Sequence, residues 1–162
     1  MQKRQFLSAM ACATLALTAS TAMAQDKFKI GLILPMTGPF ASTGKQIEAA
    51  ARLYMAQNGD MVAGKKVELI VKDDTSAADV TKRLAQEMIV NEKVSVLAGF
   101  GLTPLAFATA PLATQSKTPM VVMAAATSSI TQASPFIVRT SFTLPQAAVA
   151  IADWAPNNGI KK

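Results

Sequence analysis

The chain of 162 residues contains no histidine. That absence excludes a Ser-His-Asp triad, a Cys-His pair and any imidazole-ligated metal centre. Its single cysteine, Cys12, lies in an N-terminal stretch read below as a leader, so the remainder has neither disulfide nor thiolate. Charged residues make up only 16% of the chain against 51% hydrophobic ones, which excludes intrinsic disorder. Aromatic residues are 6% and do not interleave with the basic ones. The formal charge of +6 comes from scattered Lys and Arg, so the chain lacks a nucleic-acid-binding surface. Beyond the leader no apolar run is long enough to span a bilayer.

The first 24 residues have the three parts of a secretory signal. Lys3 and Arg4 form a basic start, Phe6 to Ala19 an uncharged and mostly apolar middle, and Ala22-Met23-Ala24 a small-residue cleavage site. The apolar run is short for a membrane span and is interrupted by Ser8, Thr14 and Thr18. Ala9-Met10-Ala11 is a poor lipoprotein signal, so Cys12 is read as a small residue of the apolar middle. The product is expected in the periplasm after cleavage.

The rest alternates between strand and helix patterns. Phe28 to Pro35 is a nearly continuous apolar run, the mark of a strand buried on both faces. A loop, Met36 to Thr43, follows. From Gly44 the apolar positions Ile47, Ala50, Ala51, Tyr54 and Met55 take helical spacing, and Asn58-Gly59 ends that helix. Lys66 to Asp73 alternates, with Val67, Leu69 and Val71 on one face, and reads as a strand near a sheet edge. Further helices are predicted over 76–91, 103–116 and 144–155, with a short turn over 128–131. Further strands are predicted over 94–99, 119–126 and 137–140. This order requires crossovers between parallel strands, hence an α/β fold with a doubly wound open parallel sheet.

In such sheets ligands bind beyond the carboxyl ends of the strands, where strand order reverses. With the first strand central, three loops gather there: Met36 to Gly44, Phe100 to Pro104 and Ala124 to Ser129. They hold hydroxyls (Thr37, Ser42, Thr43, Thr103, Thr127, Ser128) and no charged residue before Lys45. Each feeds a helix start, whose amides and dipole suit an anion. The other reading of these hydroxyls is ordinary helix capping. Gly38 to Lys45 (GPFASTGK) resembles a phosphate-binding loop, but five residues separate the glycines instead of four, and Gln46 replaces the Mg²⁺-binding hydroxyl. Asp73-Asp74 is read as ending a strand and helping to cap the next helix. No nucleophile stands with a base, so the chain is read as a non-enzyme with no cofactor and no metal.

The segments "KIGLILPMTGPFASTGKQIEAAARLYM", "VELIVKDDTSAADVTKRLAQEMI", "VSVLAGFG" and "TPMVVMAAATSSIT" together resemble the branched-chain amino acid type of periplasmic solute-binding protein, the receptors of ABC importers. The resemblance implies a type I periplasmic binding protein-like fold: two α/β lobes with solute trapped between them, handed on to a membrane permease. It implies that the first lobe holds the solute carboxylate, and the α-ammonium when the solute is an amino acid. Carried over by position, Thr103 matches a hydroxyl residue after the third strand. Ala125 and Thr127 match main-chain and hydroxyl contacts, and Phe40, Ala41 and Ser42 match the first loop, which in the family often lines the solute's side chain. Phe100 and Gly101 stand where other members carry different residues and are counted with the site.

The expected organisation is a signal peptide over 1–24, a first lobe over 25–141, and over 142–162 a crossover with the first helix of a truncated second lobe. Such a fragment would bind solute weakly, with Trp154 of its last helix short of a core. The expected function is capture of a small carboxylate solute, an amino acid or an aromatic acid, for an importer. The second reading is a ligand-sensing receptor domain of the same fold. Cleavage after Ala24 should leave Gln25 as the mature N-terminus. The intact mass of the secreted protein checks this, and a membrane-bound product retaining Met1 would refute it.

Overall fold

The computed structural model describes residues 27–160, so the leader and its cleavage site lie outside the described residues. The elements run β1 (Lys27–Leu34), α1 (Ala41–Asn58), β2 (Met61–Val62), β3 (Lys65–Asp73) and α2 (Ala78–Glu87). A wider π turn over Met88–Glu92 extends α2. Then follow β4 (Val96–Gly99), α3 (Thr103–Ser116), β5 (Met120–Val122), a 3₁₀ turn (Ser128–Gln132), β6 (Ile137–Arg139) and α4 (Leu144–Asn157). The strand order is β2-β3-β1-β4-β5-β6, parallel throughout except for β2, which pairs antiparallel with β3. The strand over Lys66 to Asp73 therefore lies next to the edge, and β1 is central, as its burial on both faces required.

Alternation along the strands splits the core in two. Ile33, Leu97, Met120 and Val122 point to one face, where Leu84, Ala85 and Met88 of α2 and Ala106, Ala110 and Ala113 of α3 cover them. The small residues of α3 let it approach the sheet closely. Gly31 does the same for Met88, whose sulfur lies 2.7 Å from where a Cβ would stand. Leu32, Leu34 and Ala98 point to the other face, with Ile47 of α1 among their neighbours. Each fully buried Leu or Ile contributes about 1.5–3 kcal/mol relative to exposure, so the α2–α3 side carries most of the stability.

Several boundaries differ from expectation. Helix α1 starts at Ala41, three residues before Gly44, because Gly38 (φ +75°) turns the chain and accepts the Ala41 amide at 3.2 Å. Gly44 is buried against the end of β1, with the Pro35 carbonyl 2.1 Å from its would-be Cβ. Strand β2 was not expected. It is a two-residue hairpin arm, formed because Ala63 and Gly64 both take positive φ. Strand β5 ends at Val122 instead of Ala126, since Met123 and Ala125 donate to Gly99 and Phe100 beyond the regular ladder. Helix α4 buries none of its residues, and Trp154 is 57% exposed.

The turn after β4 fixes the rim of the sheet. Gly99 has φ +113°, and a Cβ there would stand 2.1 Å from the Ile33 carbonyl oxygen. Gly99→Ala should therefore destabilise the chain by at least about 2 kcal/mol, through backbone strain and overpacking together. Urea unfolding checks this, and an unchanged midpoint would refute it.

Candidate functional site

Strand order reverses at β1, with β3 on one side and β4 on the other. The segments leaving β1, β4 and β5 at that end are bonded into one rim. Phe100 donates its amide to Ile33 (3.0 Å) and accepts from the amide of Ala125 (3.0 Å). Gly101 lies so close to Pro35 that a Cβ would meet two ring carbons at 2.9 Å. Across this rim the Thr103 and Thr127 hydroxyls meet at 2.8 Å.

That contact separates the two readings of the hydroxyls. The N-cap residues are Phe40 for α1, Leu102 for α3 and Thr127 for the 3₁₀ turn, and none makes a side-chain cap bond. Thr103 and Thr127 bond to each other instead. In such a pair one hydroxyl donates to the other, and the accepting hydroxyl keeps its own hydrogen. That hydrogen is polarised by the bond behind it and suits an anionic oxygen. Thr103 also occupies the first turn of α3, at the positive end of the helix dipole. The pair is half-buried.

The other expected residues take different parts. Phe40 is 45% exposed at the start of α1, with Ala41 and Ser42 in its first turn. Ser42 accepts a bond from Gln46 at 3.2 Å, which leaves its hydroxyl hydrogen free to turn outward. Phe100 corrects the expectation. Its side chain is fully buried in the core, because φ +63° swings it back under the sheet, so it does not line the rim. Ala125 is buried as well. Its amide is held by Phe100, and its carbonyl accepts from Arg139 (2.8 Å) and Ser141 (3.3 Å), so its main-chain groups serve the loop itself.

Two participants escaped the sequence reading. Asp73 does not cap α2, whose N-cap is Ala77 with no side-chain bond. One carboxylate oxygen accepts the amides of Met36 (2.9 Å) and Thr75 (2.8 Å), and the other accepts the Thr37 hydroxyl (2.6 Å). Asp73 thus anchors the first loop and commits Thr37 to the protein. Burial alone would raise its carboxyl, but these hydrogen bonds outweigh that and hold it below its ordinary value of 3.8. Asp74 is fully buried and accepts only the Ser76 amide (2.8 Å) through its side chain. Burial pushes its carboxyl up, the Asp73 charge adds to this, and the Ser76 bond opposes it. The second participant is Arg139, whose guanidinium reaches the loop from β6.

No cluster of metal-ligating side chains occurs among the described residues. Two concavities, of about 280 and 220 Å³, lie on the α1 side of the sheet and are lined by apolar residues such as Ile30, Leu69 and Met123. Neither includes the Thr103–Thr127 pair.

The sequence profile of the periplasmic binding proteins matches residues 27–162. The chain belongs to the periplasmic binding protein family. It is 47% identical over 153 residues to Leu/Ile/Val-binding protein homolog 6 of Brucella abortus, covering 94% of this chain and 39% of that protein. A solute-binding protein of an ABC transporter from Rhodopseudomonas palustris BisB5, in complex with 3,4-dihydroxybenzoic acid, superposes with TM-score 0.81. It is 65% identical, and the match covers 84% of this chain and 38% of that one. A second solute-binding protein from R. palustris, in complex with 4-hydroxybenzoate, is 46% identical with TM-score 0.80, over 83% of this chain and 37% of that one. The fold is the type I periplasmic binding protein fold, and the chain spans about two fifths of the length of these relatives.

The two aspartates give opposite pH dependences. Asp73, lowered in the fold, contributes stability that is fully present above 3.8 and lost as pH falls below it through the folded value. Asp74, raised in the fold, contributes stability below 3.8 that is lost as pH rises through its folded value. Asp73→Ala should cost about 1.5–3 kcal/mol at neutral pH, the range for a hydrogen-bonded charged group. Asp74→Asn should flatten the profile above 3.8. Urea unfolding from acid to neutral pH checks both, and unchanged slopes would refute the assignment.

Proposed function

We propose that this chain is the carboxylate-gripping lobe of an extracytoplasmic solute-binding receptor that serves an ABC importer. The observation that carries the reading is the Thr103–Thr127 pair, a polarised hydroxyl donor at a helix start on the switch-point rim. The solute class we favour is a small hydroxylated aromatic acid. Two relatives at 65% and 46% identity hold such acids, and the Thr103–Thr127 pair is a neutral donor, which suits a single carboxylate. Neutral donors avoid leaving a cation unpaired when the cleft is empty. An amino acid, as in the Leu/Ile/Val-binding relative, also brings an ammonium. The nearby carboxylate that could take it, Asp73, is occupied by Met36, Thr37 and Thr75. Residues 142–162 then begin the second lobe, the partner is the importer's permease, and the place of action is the periplasm.

One lobe alone closes on one side of the solute, so an affinity of roughly millimolar order is expected, about −4 kcal/mol. Titration of the chain with 4-hydroxybenzoate, followed by amide NMR, should shift Ser42, Thr103 and Thr127. The alcohol analogue 4-hydroxybenzyl alcohol should not. Thr103→Val and Thr127→Val should each weaken the response roughly ten- to hundredfold, the equivalent of about 1.5–3 kcal/mol. Equal response to acid and alcohol, or no effect of either variant, would refute the reading.

A further inference from the structure

Arg139 stands in β6, outside every loop that the sequence pointed to. Its side chain donates to three main-chain carbonyls: Ala125 at 2.8 Å, Thr127, and Phe142 at 3.4 Å. Two of these belong to the loop that carries the Thr127 hydroxyl. The third belongs to the segment that enters α4. The same segment adds two more bonds, from the Leu144 amide to the Ala126 carbonyl (2.9 Å) and from the Ser141 hydroxyl to Ala125 (3.3 Å). Three consecutive carbonyls, of residues 125, 126 and 127, therefore all accept from residues 139–144. An arginine suits this place because its planar fork can hold two carbonyls at fixed spacing, which a lysine cannot.

The electrostatics point the same way. Arg139 is half-buried and forms no ion pair among the described residues. Its charge rests on peptide dipoles and is not cancelled by a carboxylate. A guanidinium bonded to a carbonyl polarises that peptide and draws its amide hydrogen further positive. An uncharged loop thus gains a positive bias while the cation itself stays behind the loop.

We infer that Arg139 is a positioning residue. It sets Thr127 opposite Thr103, biases that loop toward an anion, and locks the loop to the segment entering α4. The inference rests on the carboxylate reading for its ligand, and on the bonds above for the lock. In a receptor whose lobes move about that segment, solute grip and lobe orientation would then share one side chain.

Arg139→Met and Arg139→Lys, made in the 162-residue chain, test this. Amide hydrogen exchange is read at Leu144, which bonds the loop to the segment, and at Met123 and Ala125, which bond β5 to β4. Arg139→Met should cut protection at Leu144 about tenfold while Met123 and Ala125 stay protected, as loss of a few charge-assisted bonds predicts. It should also weaken the NMR response to 4-hydroxybenzoate about tenfold, with partial recovery in Arg139→Lys, which restores the charge without the fork. Equal loss of protection at all three amides, or no loss at Leu144, overturns the inference. Were the wild-type chain to show no response to 4-hydroxybenzoate, the carboxylate reading would fail, and the exchange data would still decide the lock. If Arg139→Met does not fold, the exchange comparison on Arg139→Lys decides it by the same criteria.

Discussion

The turn at Gly99–Phe100 is the constraint on which the rim depends. The backbone of Gly99 presses against the Ile33 carbonyl at a distance no side chain allows. Phe100 then takes a left-handed conformation, which costs a non-glycine residue about 1 kcal/mol or more. Full burial of its ring offsets that cost. In this strained position the Phe100 amide and carbonyl bond the ends of β1 and the β5 loop at once. The strand ends are thereby locked in register, and Thr103 and Thr127 arrive within hydrogen-bonding distance. The residue counted with the site from sequence thus joins the rim segments through its backbone, while its side chain anchors that backbone in the core.

Charge at this rim is committed to main-chain groups. Asp73 faces the loop after β1, and Arg139 faces the loop after β5. Each grips main-chain groups, and Asp73 also takes up the Thr37 hydroxyl. The two ions do not neutralise one another, because they stand on opposite sides of the strand-order reversal. The Thr103–Thr127 pair itself is neutral. Such a pair can take a carboxylate on fixed dipoles, with no unpaired ion to desolvate in the empty state.

The sheet is unevenly clothed. On one side α2 and α3 make a dense core from small and large residues in turn. On the other, α1 leaves apolar concavities over Ile30, Leu69 and Met123. The curated relatives are about two and a half times the length matched here.

Apart from the two-residue β2, the order of strands and helices was legible in the sequence because period and burial are local: "FKIGLIL" is apolar on both faces except at Lys29 and reads as a central strand. The central position of β1 and the convergence of three loops followed from parallel crossovers. So did the candidacy of Thr103 and Thr127, as hydroxyls at helix starts, with the family resemblance adding the carboxylate role proposed for them. The fate of Phe100 was not legible, since a left-handed backbone at a non-glycine residue leaves no mark in composition. Nor were the roles of Asp73 and Arg139. Their partners are backbone groups, and backbone groups look the same at every position in a sequence. Asp73 and Met36 are 37 residues apart, and Arg139 and Ala125 are 14 apart. Residue type and periodicity determined which elements form. Only the pairing of β3 with β1 and of β6 with β5 decided which amide or carbonyl Asp73 and Arg139 would meet, because those distances are set by the sheet and not by the chain.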